Sequence, residues 1–527
     1  MAVSCSILNY DKPILFAKEE LLKYTARVGQ DISYSFVLGL EQDFFEQGLI
    51  KQSEFKDEPI GDFFRFVQKG SEIYIIGSNA RSVLYGVYHI CKKFFGYKWV
   101  NFLSKEKSEY KEVCFIKSEI HSGKMVRRGL VIENYDDISF LLKVIDWAAK
   151  HYLNELFFTF MLWDKVQHVV EKEIEKRGLT ITIGGHSMHY LLKSISVSEK
   201  KQIDFSDDSW KGLLIEKINN YVIETPSVSR LSLWPADFGI EDDDHFLARY
   251  IEFTEQVKNQ IPRIEVEHIA YNAGLSWDML ELPGNLDSSK TVNTLFAYWG
   301  RNYQQSFTNE ERAFKALQKW CHVTKASQQE ITIFEYYSDH FMLGDLFPPL
   351  FHRIHEDIEV YSKLGIKQMV NLIVPYLPKE NAKQIDFNFP WESLQLMNSY
   401  YFARLTWGDS IEDIEEDFYS IFHEHQKFVK EVLEKLESAL SEVSKWNVPL
   451  FPSRLIDPEK VESFDDLHLI ISDLKRWKRE LEQLKVHSDL EMKDPFSLIA
   501  FYLNYVCEKL EDYLHQWNDK VDVGGRA

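Results

Sequence analysis

VRRGLVIEN (126–134), LNELFFTF (153–160), GLTITIGGH (178–186) and RLSLWPAD (230–237) are short apolar runs, several of which end in polar residues. IEVEHIAYN (264–272), NTLFAYWGR (293–301), ITIFEYY (331–337) and QMVNLIVP (368–375) repeat the pattern, giving eight such runs between residues 126 and 375. Amphipathic stretches separate them, among them Asp137–Lys150, Leu214–Ile223, Asp244–Gln260, Glu310–Thr324 and Pro349–Lys363. Strands that alternate with helical patterns predict βαβ units, and eight in succession predict a closed (β/α)₈ TIM barrel of the α/β class. Functional residues of such barrels gather at the carboxyl ends of the strands. Here those ends carry Glu133, Asn134, His186, Asp237, Tyr271, Asn272, Tyr298, Arg301, Glu335 and Tyr336.

The flanks read differently. Residues 1–120 predict a small α/β accessory domain. In it a helical pattern at 16–29, a strand at 72–79 closing on Gly77 and a helix at 80–96 ending at Gly96 are the clearest elements. The barrel domain is expected to span 121–390. From 391 to 527 apolar residues recur at helical spacing, as in FVKEVLEKLESALSEV, DLHLIISDLKRWKRELEQL and SLIAFYLNYVCEKLEDYLHQW. A helical domain is expected there, packed on the barrel or mediating self-association as a homo-oligomer.

A chain of 527 residues with 45% hydrophobic and 14% aromatic residues is that of an ordered globular protein with large cores. A net charge of −21 argues against a nucleic-acid partner, because phosphate binding needs a basic face. The five cysteines are scattered and form no CxxC, so neither a disulfide framework nor a zinc site is expected. The start lacks the charged, apolar and small-residue order of a signal peptide, and no run of about eighteen apolar residues suits a membrane span. A cytoplasmic protein is the expectation.

Strand-end carboxyl groups suit glycoside cleavage, which needs an acid for the leaving oxygen and a second group at the oxocarbenium-like centre. Asp237 ends the fourth strand and Glu335 the seventh, half a barrel apart, so the pair is predicted to face across the mouth as the catalytic residues. Phe334, Tyr336 and Tyr337 around Glu335 would raise its pKa toward general-acid use. The competing reading pairs Glu335 with Arg301 or Arg128 in a structural salt bridge. Glu133, Asn134 and His186 are candidates for sugar hydroxyls. Tyr271, Asn272, Tyr298 and Tyr336 are candidates for orienting the substrate, Arg128 and Arg301 for a carboxylate, and Trp163, Trp234 and Trp299 for stacking on sugar rings. His186 and His189 in HSMH lack a third ligand at a recognisable spacing, so no metal site is expected. No GxSxG or glycine-rich nucleotide motif is present, and no cofactor is expected.

The N-terminal pattern carries a family resemblance. Ala17, Glu20 and Leu21, followed by Gly77, Arg81, Leu84, Tyr85, Gly86, Gly96 and Trp99, resemble the accessory domain of family 20 β-hexosaminidases. The same domain occurs in family 67 and family 115 α-glucuronidases. The barrel and tail resemble the group that includes family 163 endo-β-N-acetylglucosaminidases, through GGHSMHYLL (184–192), SLWPAD (232–237), IAYN (269–272), IFEYY (333–337) and SYYFARLTWGDSIEDIEEDF (399–418). The likeness covers roughly residues 10–425. It implies a glycoside hydrolase of oligosaccharides, with a β-linked N-acetylhexosaminide as the bond cleaved. An α-glucuronidase-like enzyme and a non-catalytic glycan-binding barrel are the alternatives. Family 20 enzymes place an adjacent Asp-Glu pair after the fourth strand; this chain has Asp237-Phe238, with Glu241 further along, which moves the expected acid role to Glu335.

Overall fold

The computed structural model describes the chain outside residues 1–2, 29–31, 33, 52–58, 101–119, 134, 187, 193–203, 236, 238–244, 273–275, 285–288, 344–345, 375–391, 447–454, 458, 462–463, 485–493 and 525–527. Asn134 and Glu241 lie outside the described residues, as does the side chain of His189.

An open sheet comes first in the chain, built from β1 (Cys5–Ile7), β2 (Ser35–Leu40), β3 (Phe63–Lys69), β4 (Glu72–Gly77) and β5 (Ile120–Ser122) in the order β1-β2-β4-β3-β5. Pairing is parallel from β1 through β4, while β3 runs antiparallel to both β4 and β5. The helices Lys12–Arg27 and Ala80–Lys93 bury Ile14, Leu21, Val83, Val87 and Ile90 in the main core. Asn79 caps the second helix by accepting from Ser82 N. Val37, Phe44, Ile50, Tyr74 and Ile76 form a separate small cluster.

The accessory domain is bolted to the foot of the barrel by polar contacts. Asp62 accepts from Arg128 at 2.6 Å, from Arg81 at 2.8 Å and from Asn154 at 2.8 Å, and Tyr85 OH donates to the Leu153 carbonyl at 2.8 Å. Burial works upward on the Asp62 carboxyl, but the Arg81 and Arg128 charges overcome it and hold the group well below the usual carboxylate range.

The eight expected strands close into one parallel barrel: β6 (Arg127–Ile132), β7 (Glu155–Thr159), β8 (Thr180–Gly185), β9 (Val228–Leu233), β10 (Glu265–Tyr271), β11 (Asn293–Ala297), β12 (Ile331–Asp339) and β13 (Gln368–Val374). β13 pairs with β6 to complete the ring. The crossover helices fall where the amphipathic stretches predict them, for instance Ile138–Lys150, capped by Asp137, and Phe351–Lys363. The helix Phe160–Glu175 adds one that the sequence reading did not name.

Side chains fill the barrel in layers. At the bottom Arg127 donates to Glu155 and Glu267 at 2.6 Å each, and Arg230 also donates to Glu155. A buried ionic layer of this kind is tolerated only because every charge is paired. Above it Phe157, Trp234 and Phe334 meet with ring centroids 5.2 and 5.5 Å apart, and Trp234 Nε1 donates to Ser232 Oγ at 2.8 Å. Gly184 permits this packing, since a Cβ there would lie 1.8 Å from the Ser232 carbonyl oxygen.

Beyond the barrel the chain is helical, with Glu392–Trp407, Ile411–Tyr419, Gln426–Val443, Phe464–Gln483 and Pro495–Gly524. Their apolar faces join the same continuous core as the barrel, and Tyr502 OH donates to the Leu346 carbonyl at 2.5 Å. Among the described residues no helix is long and apolar enough to cross a membrane.

Candidate active site

The upper rim of the barrel brings together six polar side chains from five strand ends: Glu133 after β6, His186 after β8, Asp237 after β9, Tyr271 at the end of β10, and Tyr336 and Asp339 from β12. Alternation along each strand explains the placement. Arg127 points into the barrel, as its bonds to Glu155, Glu267 and Thr332 require, so Gly129, Val131 and Glu133 follow it inward.

Charge and burial act together on Glu133. Removal from water pushes its carboxyl up, and the charges of Asp339 and Asp237 push it further, with His186 alone working downward. The Glu133 carboxyl is thereby shifted in the direction a proton donor needs. Asp237 is exposed at the rim, where the Tyr271 hydroxyl donates to it. Desolvation first, then the Asp237, Glu133 and Asp339 charges, raise the Tyr271 phenol well above its ordinary range, so it stays a donor. His186 Nδ1 lies 2.6 Å from the Pro235 carbonyl, which only accepts, so this nitrogen carries the hydrogen. The His186 ring packs 5.0 Å from Trp234 and 5.6 Å from Tyr271, and Tyr336 stacks 4.8 Å from Phe334, giving the site an aromatic floor.

Glu335 lies elsewhere. Phe334 and Tyr336 face the lumen, so the residue between them faces out, toward the helix Phe351–Lys363. There Glu335 accepts from Arg301 at 2.7 Å, from Tyr303 OH at 2.7 Å and from Tyr361 OH, and it is 3% exposed. Arg301 donates in turn to Asp357 at 2.6 Å, and Tyr337 OH to the other Asp357 oxygen at 2.9 Å. Glu335 and Arg301 thus form the structural ion pair that was the competing reading, and the pairing of Glu335 with Asp237 across the mouth is corrected. Arg128 is fully buried at the foot of the barrel with Asp62, far from a strand's carboxyl end.

The remaining candidates divide. Asn272 donates to the Trp299 carbonyl at 2.7 Å and accepts from Trp299 N at 2.8 Å, so it clamps the loops after β10 and β11 together. Tyr298 sits behind this clamp, beside Trp277 and with its hydroxyl 3.4 Å from Glu310. Trp163 packs in the core against Phe158, Trp234 forms the floor, and Trp299 is half-buried. Asp339 was missed because ITIFEYY ends two residues short of it; β12 runs on to Asp339. Among the described residues no three His, Cys, Asp or Glu side chains converge closely enough to hold a metal ion.

No protein-family model matches the sequence, and no curated protein matches it in sequence. Solved structures do match in fold. A family 115 4-O-methyl-α-glucuronidase with specificity for decorated arabinogalactans superposes with a TM-score of 0.60 at 13% identity, over 97% of this chain and 72% of the other. A family 138 enzyme targeting pectin rhamnogalacturonan II gives 0.57 at 11% identity, over 95% and 68%. A family 89 glycoside hydrolase from Clostridium perfringens, in complex with 2-acetamido-1,2-dideoxynojirmycin, gives 0.50 at 11% identity, over 89% and 62%. The chain has the fold of these glycoside hydrolases, accessory sheet, barrel and helical tail together.

Proposed function

We propose that the protein is a glycoside hydrolase that cleaves β-linked N-acetylhexosaminides in oligosaccharides. The observation that carries the reading is the set of carboxyl groups Glu133, Asp237 and Asp339 above an aromatic floor at the barrel mouth. Glu133, whose carboxyl burial and its acidic neighbours push up, gives its proton to the glycosidic oxygen as the bond from that oxygen to the anomeric carbon breaks. Asp237 takes a proton from the water whose oxygen bonds to the anomeric carbon, and exchange with solvent restores both groups. Tyr271, hydrogen-bonded to Asp237, fixes its direction. An acetamido group needs an acceptor for its N–H and an apolar surface for its methyl; Asp237, next to the Tyr271 hydroxyl, offers the first, and the aromatic rings around His186 offer the second. A uronate would need a cation, and the two arginines considered for that task are engaged by Asp62 and by Glu335 with Asp357.

The test is hydrolysis of aryl glycosides of β-GlcNAc, β-GalNAc, α-glucuronic acid and β-glucose by wild type, Glu133→Gln and Asp237→Asn. Turnover of a β-N-acetylhexosaminide should fall about 10²–10⁴-fold in Glu133→Gln. The loss should shrink for a dinitrophenyl leaving group, which departs without a proton. Turnover of the α-glucuronide alone, or undiminished turnover in both variants, would overturn the assignment.

A further inference from the structure

The helix Glu392–Trp407 buries polar residues where a purely structural helix would bury apolar ones. Gln395, Asn398 and Ser399, spaced to share one face, are each 2% exposed or less. Buried amides are costly unless their hydrogen bonds are made, so their partners show what they are for. Those partners are the backbone of one segment of β12. Asn398 Nδ2 donates to the Tyr337 carbonyl at 3.0 Å, and Gln395 Nε2 to the Ser338 carbonyl at 3.0 Å. Ser399 Oγ lies 2.8 Å from Ser338 Oγ. From the strand side Asn371 of β13 accepts from Tyr337 N at 3.0 Å and donates to Ser338 Oγ at 3.1 Å, while Tyr303 OH accepts from Tyr336 N at 3.1 Å.

The clamped segment is a β-bulge. Glu335 pairs with Asn371 and Ser338 with Ile373, so three steps along β12 match two along β13 and one extra residue is inserted. Strict alternation would send Ser338 into the lumen and Asp339 out into the wall. The bulge reverses this. Ser338 meets the outer helix, and Asp339 turns the other way, its Oδ2 accepting from Met342 N at 3.1 Å and its charge acting on Glu133, Tyr271 and Tyr336.

We propose that Asn398 and Gln395 of the C-terminal helix, with Asn371, are positioning residues of the active site that hold the β12 bulge and thereby aim Asp339 at Glu133. The tail is then part of the catalytic architecture and not an appended domain. This rests on the reading of the mouth as a glycosidase site, and the experiment separates the two.

Asn398 also binds the Pro348 carbonyl at 3.1 Å and Leu350 N at 3.0 Å, so its loss threatens folding as well. Gln395→Met, which keeps volume and removes the donor, accompanies Asn398→Ala. Both are assayed on the best aryl glycoside across pH, and both are crystallised. Displacing Asp339 takes away one of the charges that raise Glu133, and a change of one pK unit is worth about tenfold; a kcat loss on that order is expected in Asn398→Ala, and a smaller one in Gln395→Met, with KM little changed. The groups facing Glu133 are His186, Asp237, Asp339, Tyr271 and Tyr336. Withdrawal of the Asp339 charge should move the basic limb of kcat/KM to lower pH. A role in stability alone would lower the melting temperature and leave kcat and that limb in place, which would overturn the proposal. If wild type hydrolyses no glycoside, the functional reading fails and the crystal structures decide. Asp339 turned out of the mouth supports the clamp, and Asp339 in its wild-type place overturns it.

Discussion

Two sets of acidic side chains occupy this barrel, and they differ in what neutralises them. In the wall and floor each acid has a guanidinium: Glu335 and Asp357 share Arg301, and Glu155 and Glu267 share Arg127, with Arg230 adding to Glu155. At the mouth burial pushes the Glu133 carboxyl up, the charges of Asp339 and Asp237 push it further, and one imidazole alone works downward. The difference separates two uses of the same functional group. An acid bonded to an arginine holds the structure together, even where burial pushes it up to about 6 as in Asp357, while an acid raised at the open mouth among other acids is placed to transfer a proton.

The largest effect that would break this comparison comes from exchanging the same substitution between the regions. Glu335→Gln removes the charge opposite Arg301 and leaves one accepting oxygen where two serve Arg301, Tyr303 and Tyr361, deep in the wall. Removing one partner of a buried pair costs about 3–5 kcal/mol. The variant should therefore lose that much stability in urea denaturation, while its folded fraction loses far less activity than Glu133→Gln. A Glu335→Gln protein with wild-type stability and no turnover would return Glu335 to the role of proton donor.

Most of the fold was legible, because each barrel strand is a compact apolar run bounded by turns and each crossover helix has a clear amphipathic face. In the accessory domain the helix at 16–29, β4 and the helix after it were legible, and the other strands were not. β1 and β5 have three residues each, too few to show a period. The site was half legible, for a reason that lies in the same apolar runs. Strands buried on both faces hide which residues point inward, so Glu335, flanked by aromatics, was read as the acid and Glu133 only as a contact for sugar hydroxyls. Once Arg127 fixes the phase of β6, Glu133 follows, but nothing in ITIFEYYSD announces the extra residue that turns Asp339 inward. The signal for it sits about sixty residues away, in the polar face of SLQLMNSYY (393–401), and becomes readable only when helix and strand meet.

A middling effect is expected from acid. Burial works upward on Glu155, but Arg127 and Arg230, with a hydrogen bond from Thr182, hold its carboxyl down at about 2 against an ordinary 4.5. A folded-state pKa below the unfolded one gives stability that is present above 4.5 and lost as pH falls toward 2. By linkage the contribution is about 3.5 kcal/mol, at about 1.4 kcal/mol per pK unit. Denaturation free energies measured between pH 6 and pH 2 should fall accordingly in wild type. Glu155→Gln should start lower and show a shallower slope. Equal slopes would mean that the floor layer is held by something other than its charges.

The smallest effect belongs to a third kind of acid, one that has an arginine but stands in water. Glu281 accepts from Arg312 at 2.6 and 2.9 Å, and the guanidinium lies 4.1 Å over the Trp277 ring, yet the two side chains are 41% and 57% exposed. The geometry matches that of the buried pairs; only the dielectric differs. Water returns most of the attraction as hydration, so Glu281→Gln should change stability by less than about 1 kcal/mol and leave kcat alone. That small difference should shrink further in 1 M salt, where screening acts within about 3 Å. A cost comparable to that of Glu335→Gln would show that partner geometry, and not burial, sets the strength of these pairs.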